Sequence, residues 1–539
     1  MSATEVQAER VLEVANLSVE FHTARGRVKA VRDVSFHLDR GETLAILGES
    51  GSGKSVSASA IMDLIDCPPG EITSGRITYR RRDLLGMPRA ERREVNGRKI
   101  AMIFQDPLAA LNPVYSVGWQ IAEGMRVHGM EAGAAHARAM ELMERVGIRD
   151  VANRARAYPH EFSGGQRQRL MIAMALGWDP DVLIADEPTT ALDVTVQAQI
   201  LKLLQGLREE TGMGLLIITH DLGVVAEMAD RVLVMNGGEM VETGTTRAVF
   251  RDPQHPYTRR LLGAVPGQGS IRETAMEDCR PLLEVRNLEK RFGTFQALKG
   301  VSFDLRPGET VGIVGESGSG KSTTARAILR LDDPDGGEVI YKGRDLLKMS
   351  DREIFALRRE IQMVFQDPTQ SLNPRMSVFQ IVSEAWRIHA DILPKPRWRE
   401  RVGELLELVG MKAEHADRYP HQFSGGQRQR IAIARALAME PKIIVCDEAV
   451  SALDVCIQAQ VIKLLDGLRD RLGIAFLFIA HDLPVVRDFA DRVIVMKDGA
   501  IVEQGDVRQI FDAPREPYTR ALLAASLEAD PEARPREVA

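Results

Sequence analysis

The sequence predicts an α/β protein in which one kind of domain is built twice. Short apolar runs such as TLAILG, DVLIADE and LLIITH show no alternation, which suits strands buried on both faces of a mostly parallel sheet. Helical patterns such as SVSASAIMDLI and STTARAILRL follow the strands. Strand, loop and helix in repetition predict a layered α/β fold whose functional residues gather where the strands end.

The duplication covers nearly the whole chain. Gln105 and Gln366 lie 261 positions apart, as do the later matched motifs, whereas Gly48 and Gly315 lie 267 apart. The difference of six residues falls near CPPGEITSG, and we expect a surface-loop insertion there. A repeat this long indicates a duplicated domain and not a solenoid. The predicted division is a first domain at 11–265, a linker at 266–280, a second domain at 281–525 and a flexible C-terminal tail at 526–539.

Composition excludes several classes of protein. The 539 residues are 44% hydrophobic and 27% charged, typical of a soluble multidomain chain. The net charge of −6 argues against bulk electrostatic binding of nucleic acid, and we expect no nucleic-acid partner. Four scattered cysteines are too few for a disulfide framework or for a four-ligand zinc site. No apolar stretch approaches the roughly 20 residues that a membrane span needs. If the protein acts at a membrane, we expect it to do so without crossing the bilayer.

GESGSGKS occurs at 48–55 and at 315–322 and fits the pattern G-x-x-x-x-G-K-[ST] between an apolar strand and a helix. Its backbone N–H groups and the helix N-terminus are suited to phosphate. Lys54 and Lys321 are predicted to reach the β- and γ-phosphates, and Ser55 and Ser322 to bind Mg²⁺. A glycine-rich turn with a solvated lysine is the alternative, which two matches in the same context disfavour. The other predicted nucleotide contacts are Gly48, Ser50, Gly51, Gly53, Gly315, Ser317, Gly318 and Gly320.

Acidic pairs end another apolar run in each copy. Asp186 and Asp447 are predicted to hold the metal, and Glu187 and Glu448 to polarise the attacking water. A lone acidic pair is usually a solvated loop, but both pairs follow a buried strand. Further predicted contacts come from Gln105 and Gln366, to Mg²⁺ and the water, and from His220 and His481, to the γ-phosphate. A single histidine is more often structural, so the γ-phosphate contacts predicted for His220 and His481 depend on the residues around them.

The phosphate loop, FQDP, SGGQ, DE, ALD and a strand-end histidine, in this order and twice, resemble the ATPase domains of ABC transporters. The resemblance covers roughly 11–265 and 282–525. It implies that each domain adds an antiparallel β subdomain and a helical subdomain to its core sheet, and that ATP and Mg²⁺ are bound. It also implies that the two halves pair within one chain, with the SGGQ loop of each closing over the ATP of the other.

The resemblance assigns residues to both shared sites. Ser424, Gly425, Gly426, Gln427 and Asp454 are implied to complete the first site, Ser163, Gly164, Gly165, Gln166 and Asp193 the second, and Phe21 and Phe292 to stack on adenine. Core packing is the alternative for the two phenylalanines. Ala449 departs from the pattern, since the first copy has Pro188, but no ligand is lost and both sites are expected to hydrolyse ATP.

HPYTRRLL at 255–262 and EPYTRALL at 516–523 resemble the segment after the ATPase core in dipeptide, oligopeptide and nickel importers. This implies a peptide-importer ATPase at the cytoplasmic face of the inner membrane, serving two permease subunits and a periplasmic solute-binding protein. The segments 107–160 and 368–421 are then expected to transmit motion to the permeases. No iron–sulfur cluster is expected, because the cysteine cluster of some relatives is absent. The alternatives are a soluble tandem ATPase acting on ribosomes or nucleic acid, and an importer ATPase for nickel or sugar.

Overall fold

The computed structural model describes residues 9–23, 26–190, 192–267, 269, 280–451 and 453–532. These residues form two units. Among the described residues, the first unit comprises the chain up to Gly263 together with Leu527–Glu532, and the second comprises Ala264–Ser526. Most of the predicted linker, residues 270–279 with Cys279, lies outside the described residues.

The first unit contains two sheets and a set of helices. Its strands are β1 Arg10–Thr23, β2 Gly26–Asp39, β3 Thr43–Leu47, β4 Gly70–Tyr79, β5 Arg82–Asp83, β6 Ile100–Ile103, β7 Val182–Asp186, β8 Gly214–Thr219, β9 Arg231–Asn236 and β10 Glu239–Thr245. Its helices are α1 Lys54–Ile61, α2 Arg89–Val95, α3 Pro107–Ala110, α4 Val117–Val127, α5 Ala132–Arg145, α6 Val151–Arg154, α7 Gly164–Ala175, α8 Val194–Thr211, α9 Leu222–Met228, α10 Thr246–Arg251 and α11 Pro256–Leu262.

The second unit repeats this order. Its strands are β11 Leu283–Phe292, β12 Phe295–Leu305, β13 Thr310–Val314, β14 Gly336–Tyr341, β15 Arg344–Asp345, β16 Ile361–Val364, β17 Ile443–Asp447, β18 Ala475–Ile479, β19 Arg492–Lys497 and β20 Ala500–Asp506. Its helices are α12 Lys321–Ile328, α13 Asp351–Leu357, α14 Pro368–Ser371, α15 Val378–Ile388, α16 Trp398–Leu408, α17 Gly425–Leu437, α18 Val455–Leu472, α19 Leu483–Phe489, α20 Val507–Asp512 and α21 Pro517–Ala525.

Each unit has a core sheet that carries the predicted motifs. In the first unit the strand order is β10-β9-β3-β8-β7-β6, and all neighbours run parallel except β10. The second unit has the corresponding order β20-β19-β13-β18-β17-β16. Strands β3 and β8 are buried along their whole length, as expected for strands covered on both faces. The predicted α/β fold with a mostly parallel sheet is confirmed.

A smaller antiparallel sheet, β2-β1-β4-β5 in the first unit and β12-β11-β14-β15 in the second, packs beside each core sheet. Helices α4 and α5, with α15 and α16 in the second unit, supply the helical subdomain. The segment CPPGEITSG, predicted as a surface loop, instead enters strand β4 at Gly70. The extra residues therefore lengthen β4 to ten residues, against six in β14, because their backbone groups pair with β1.

The described residues after α21 belong to the first unit. Leu527 packs against the apolar core that includes α9, and a Cβ on Gly223 would lie 2.6 Å from the Leu527 Cβ. Arg251 and Glu532 form an ion pair at 3.0 Å. The rest of the tail lies outside the described residues, so its flexibility stays a prediction. Among the helices that the structure describes, none combines the length and the hydropathy that a bilayer crossing requires.

Glu503 of β20 anchors the start of α21. Its carboxylate accepts hydrogen bonds from the backbone N–H groups of Arg515, at 2.8 Å, and Glu516, at 3.1 Å. Burial alone would raise the pKa of Glu503, but the hydrogen bonds that it accepts hold the pKa below its usual value.

We expect Glu503→Ala to lower the free energy of unfolding of the second unit by about 1.5–3 kcal/mol at neutral pH. Because the folded pKa is depressed, the stabilisation is present above the ordinary glutamate pKa and is lost as the pH falls through the folded value. Urea denaturation of the full chain at several pH values measures this. A difference from the parent chain that stays constant down to pH 3 would contradict it.

Candidate functional site

The phosphate loop follows β3 in the first unit and β13 in the second. Gly53 and Gly320 have φ of 99° and 101°, a left-handed conformation that glycine adopts without strain, and they turn the chain into α1 and α12. Lys54 follows at once, and its Nζ donates to the carbonyl oxygens of Gly48, at 2.5 Å, and Glu49, at 2.9 Å. The loop therefore encircles the lysine that is predicted to bind phosphate.

The second loop has the same internal contacts. Lys321 Nζ donates to the carbonyl oxygens of Gly315, at 2.7 Å, and Glu316, at 2.9 Å. Both lysines are buried, at 4% and 5% exposure. Since an ammonium group buried this far needs compensating partners, a phosphate group is a fitting replacement for the two carbonyl groups.

A serine and an aspartate meet beside each loop. Ser55 Oγ donates to Asp186 Oδ1 at 3.0 Å, and Ser322 Oγ donates to Asp447 Oδ1 at 2.8 Å. Burial raises the pKa of Asp186 to about 6 and also raises that of Asp447. A hydroxyl and a carboxylate are hard oxygen donors of the kind that Mg²⁺ prefers, and a cation would relieve the cost of the buried charge. The residues present therefore fit the predicted metal.

The next residue in each unit, Glu187 or Glu448, follows the end of its strand and has a left-handed backbone conformation. These glutamates have φ of 47° and 48°, a region that costs a non-glycine residue of order 1–3 kcal/mol. The backbone N–H of Glu187 donates to Ile218 O at 2.8 Å, and that of Glu448 donates to Ile479 O at 2.9 Å. The backbone thus keeps the same geometry in both units, whether Pro188 or Ala449 follows.

The Glu187 and Glu448 carboxylates lie next to the predicted glutamine and histidine of their own unit. Gln105 Nε2 donates to Glu187 Oε2 at 2.8 Å, and Gln366 Nε2 donates to Glu448 Oε2 at 2.7 Å. His220 Nδ1 lies 3.1 Å from Glu187 Oε1, whereas His481 Nδ1 lies 3.7 Å from Glu448 Oε2. Phosphate-loop lysine and serine, strand-end acids, glutamine and histidine are therefore brought to the carboxyl ends of neighbouring strands within each unit.

The surroundings set the charge of these glutamates. Burial would raise the pKa of Glu187, but hydrogen bonds with His220 and Thr190 hold it below the usual value. The nearby His481 side chain, at ion-pair distance, lowers the pKa of Glu448. Both carboxyl groups are ionised at neutral pH, as a group that polarises water requires.

Thr190 and Ser451 occupy matched positions but differ in their contacts, a difference that the sequence analysis missed. Thr190 Oγ1 donates to the carboxylate of Glu187 at 3.0 Å. Ser451 Oγ instead donates to the backbone carbonyl of Glu448 at 2.9 Å. Both side chains carry a hydroxyl group, so the sequence held no signal for the difference.

The SGGQ segments begin α7 and α17. Ser163 and Ser424 are N-cap residues in reciprocal capping boxes with Gln166 and Gln427. A Cβ on Gly165 would lie 2.3 Å from Val196, and one on Gly426 would lie 2.2 Å from Ile457. Packing against α8 and α18 thus requires these glycines within their own units. Gly164 and Gly425 have only ordinary contacts, and Asp193 and Asp454 are the N-cap residues of α8 and α18.

The two predicted adenine-stacking residues have unequal surroundings. Phe21 is partly buried against the core, and a Cβ on Gly70 of the lengthened β4 would lie 3.0 Å from its ring. Phe292 is 49% exposed at the end of β11. Lys290 Nζ lies 5.3 Å from the centre of the Phe292 ring. Packing accounts for Phe21, and stacking on a base remains a prediction for both.

Comparison with known proteins decides the family. A family model described as ABC transporter matches residues 31–190 and 298–451. The chain belongs to the ABC transporter ATP-binding family. A second model, described as oligopeptide/dipeptide transporter, C-terminal region, matches residues 241–286 and 502–539.

Relatives match over nearly the whole chain. The glutathione import ATP-binding protein GsiA of Escherichia coli K12 is 50% identical over 98% of this chain and 91% of its own. GsiA of Shigella dysenteriae serotype 1 has the same identity and coverage. Among solved structures, cbiO1 from Clostridium perfringens, part of the ABC transporter complex cbiONQ, is 33% identical over 43% of this chain and 91% of its own, with a TM-score of 0.40.

This ABC protein is therefore the ATP-binding and ATP-hydrolysing subunit of an importer in the peptide-importer family, as predicted. The similarity to peptide importers includes the segments 241–286 and 502–539, which follow the two ATPase cores. It therefore disfavours the alternative hypotheses of a ribosome or nucleic-acid ATPase and of an importer ATPase for nickel or sugar.

Proposed function

We propose that this chain powers the uptake of glutathione or of peptides of similar size, with one MgATP bound at each phosphate loop. The observation that supports the proposal is that both units hold the same arrangement of lysine, serine, aspartate, glutamate and glutamine. The chain also resembles a glutathione import ATP-binding protein over 98% of its length. An importer with one degraded site would lack this symmetry.

The residues act mainly by positioning and by charge. Lys54 exchanges the loop carbonyls for the β- and γ-phosphates, while Ser55 and Asp186 would hold Mg²⁺. When bound there, the ion would neutralise charge on the phosphate oxygens. Glu187 orients and polarises the attacking water, and Gln105 and His220 hold the Glu187 carboxylate toward it. Lys321, Ser322, Asp447, Glu448, Gln366 and His481 perform the same roles in the second unit.

The remaining predicted contacts belong to the same proposal. The SGGQ loops, with Asp193 and Asp454, complete the two sites between the halves of the chain, and Phe21 and Phe292 contact adenine. The N-termini of α7 and α17 carry the positive end of the helix dipole, which favours the γ-phosphate.

The proposed permease contacts lie on the segments that follow FQDP, residues 107–160 in the first unit and 368–421 in the second. In the first unit this surface exposes large apolar side chains, including Leu108 at 60% and Val114 at 69%, and the rings of Tyr115 and Trp119 stack 4.4 Å apart. Exposed apolar patches of this kind mark protein interaction sites. In the second unit Arg375 and Gln380 stand at the positions of Val114 and Trp119. Unlike surfaces suit two different permease subunits at the cytoplasmic face of the inner membrane.

Reconstitution tests the substrate. The chain is assembled in proteoliposomes with its permease subunits and periplasmic solute-binding protein, and uptake of labelled glutathione, dipeptide and Ni²⁺ is compared. We expect ATP-dependent uptake of glutathione or dipeptide and none of nickel. Nickel uptake alone would overturn the proposed substrate class.

We expect Thr190→Val to lower kcat at the first site about three- to tenfold, since the change removes one hydrogen bond to the Glu187 carboxylate. ATPase rates are measured in a Glu448→Gln background, so that the first site is read alone. Ser451→Ala in a Glu187→Gln background is the matched control and should change kcat less, because that hydroxyl binds a backbone carbonyl. Equal losses in the two variants would contradict the assignment.

A further inference from the structure

The PYTR segments begin the last helix of each unit, α11 and α21. Pro256 occupies the first turn of α11, and His255 Nδ1 accepts a hydrogen bond from the Tyr257 N–H at 3.2 Å. Glu242 accepts hydrogen bonds from the backbone N–H groups of Gln254, at 2.7 Å, and His255, at 3.0 Å. The residues just before Tyr257 are therefore hydrogen-bonded to β10.

The Tyr257 side chain contacts the phosphate loop from this anchored position. The backbone N–H of Glu49, the second residue of GESGSGKS, donates to Tyr257 Oη at 3.1 Å across 208 residues of sequence. The ring is buried, at 4% exposure. In the second unit the backbone N–H of Glu316 donates to Tyr518 Oη at 3.3 Å. The contact thus occurs in both units, although Glu516 replaces the capping histidine in the second.

The Glu49 residue is held from two sides. Its N–H binds Tyr257, and its carbonyl oxygen binds Lys54 at 2.9 Å. Once Lys54 binds phosphate instead, the Glu49 carbonyl loses the lysine, and the Tyr257 hydroxyl is left as the contact of this pair that holds Glu49. Loss of the hydroxyl is then expected to disturb the loop more with nucleotide bound than without it, and only such a difference between the two states changes affinity.

We propose that Tyr257 and Tyr518 are positioning residues that hold the phosphate loops in their binding conformation, so that the PYTR segment tunes nucleotide affinity. This rests on the proposed function of Lys54 and Lys321 as phosphate ligands. The tyrosines act through the loop backbone and do not themselves touch the nucleotide.

The test measures affinity at one site at a time. In a Lys321→Ala background of the full chain, Tyr257→Phe should weaken binding of the fluorescent nucleotide TNP-ATP about three- to tenfold, the equivalent of one ordinary hydrogen bond. In the otherwise unchanged chain, the same substitution should raise KM for ATP and change kcat less than about twofold. Tyr518→Phe in a Lys54→Ala background should weaken binding in the same direction.

Tyr79→Phe is the matched control. Tyr79 is also buried, and its hydroxyl donates to Asp181 away from the phosphate loop. This substitution should lower the melting temperature without changing TNP-ATP affinity. If Tyr257→Phe behaves like Tyr79→Phe, the tyrosine is merely structural and the proposal is overturned.

A further variant separates this proposal from the proposed function. Lys54→Ala combined with Lys321→Ala should bind no TNP-ATP. If that double variant binds as the parent chain does, the phosphate ligands are wrongly assigned. If it fails to bind while Tyr257→Phe binds with parental affinity and KM, only the role of the tyrosine is wrong.

Discussion

Replacing Glu187 and Glu448 together by glutamine is expected to abolish ATP turnover while nucleotide binding persists. Glutamine keeps the size of the side chain and an oxygen that accepts from Gln105 Nε2, but it removes the negative charge that polarises water. A positioned general base contributes about 10²–10⁴-fold to a rate, and we expect a loss in that range. Phosphate release and equilibrium binding of ATP, measured on the same preparation, separate the two effects.

Glu227→Gln is the control for this loss. Glu227 lies exposed in α9, seven residues after His220, and the same change of charge there should leave the ATPase rate unaltered. Turnover at the parental rate in the double glutamate variant would show that neither carboxylate polarises the attacking water. The single variants then report whether the sites contribute equally, given the longer distance from His481 to Glu448.

Gly48→Ala is expected to eliminate nucleotide binding at the first phosphate loop. A Cβ at this position would lie 2.3 Å from the backbone oxygen of Met235 and 2.8 Å from Ser52 Oγ. Met235 belongs to β9 in the core sheet, so the loop has to move and carries with it the carbonyl that binds Lys54. We expect affinity to fall by at least about 100-fold, or about 3 kcal/mol. TNP-ATP titration in a Lys321→Ala background measures it.

Gly206→Ala serves as the matched glycine control. Gly206 is an exposed residue of α8, and a Cβ there would meet no atom within 4 Å. Alanine should stabilise this helix by about 0.5–1 kcal/mol and leave nucleotide affinity unchanged. Parental affinity in Gly48→Ala would mean that the loop tolerates the displacement and that its conformation is not critical for binding.

Much of the site could be predicted because local sequence decides it. Unbroken apolar runs predict β3, β7 and β8, and strands of one parallel sheet present their carboxyl ends at one edge. Asp186 and His220 directly follow or end such runs, so their meeting with Lys54 follows from the topology. The duplication then predicts the second arrangement from the first.

Other features depend on contacts that sequence spacing does not encode. Thr190 and Ser451 both carry a hydroxyl group, yet one binds a carboxylate and the other a backbone carbonyl, because the side-chain rotamer decides between near neighbours. Phe21 packs beside Gly70 because the extra residues of the first copy form part of β4 and pair with β1. The hydrophobic periodicity of the sequence does not predict this pairing.

Residues near one another in the chain specify the strand–loop–helix elements, the phosphate loops and the strand-end acids, so these features of both units could be predicted. Contacts between groups distant in the chain could not: Tyr257 accepts a hydrogen bond from Glu49, Gly165 packs against Val196, and Leu527 packs beside Gly223. Such contacts arise from how complete helices and strands pack, and packing is set by the shape of whole surfaces and not by local pattern.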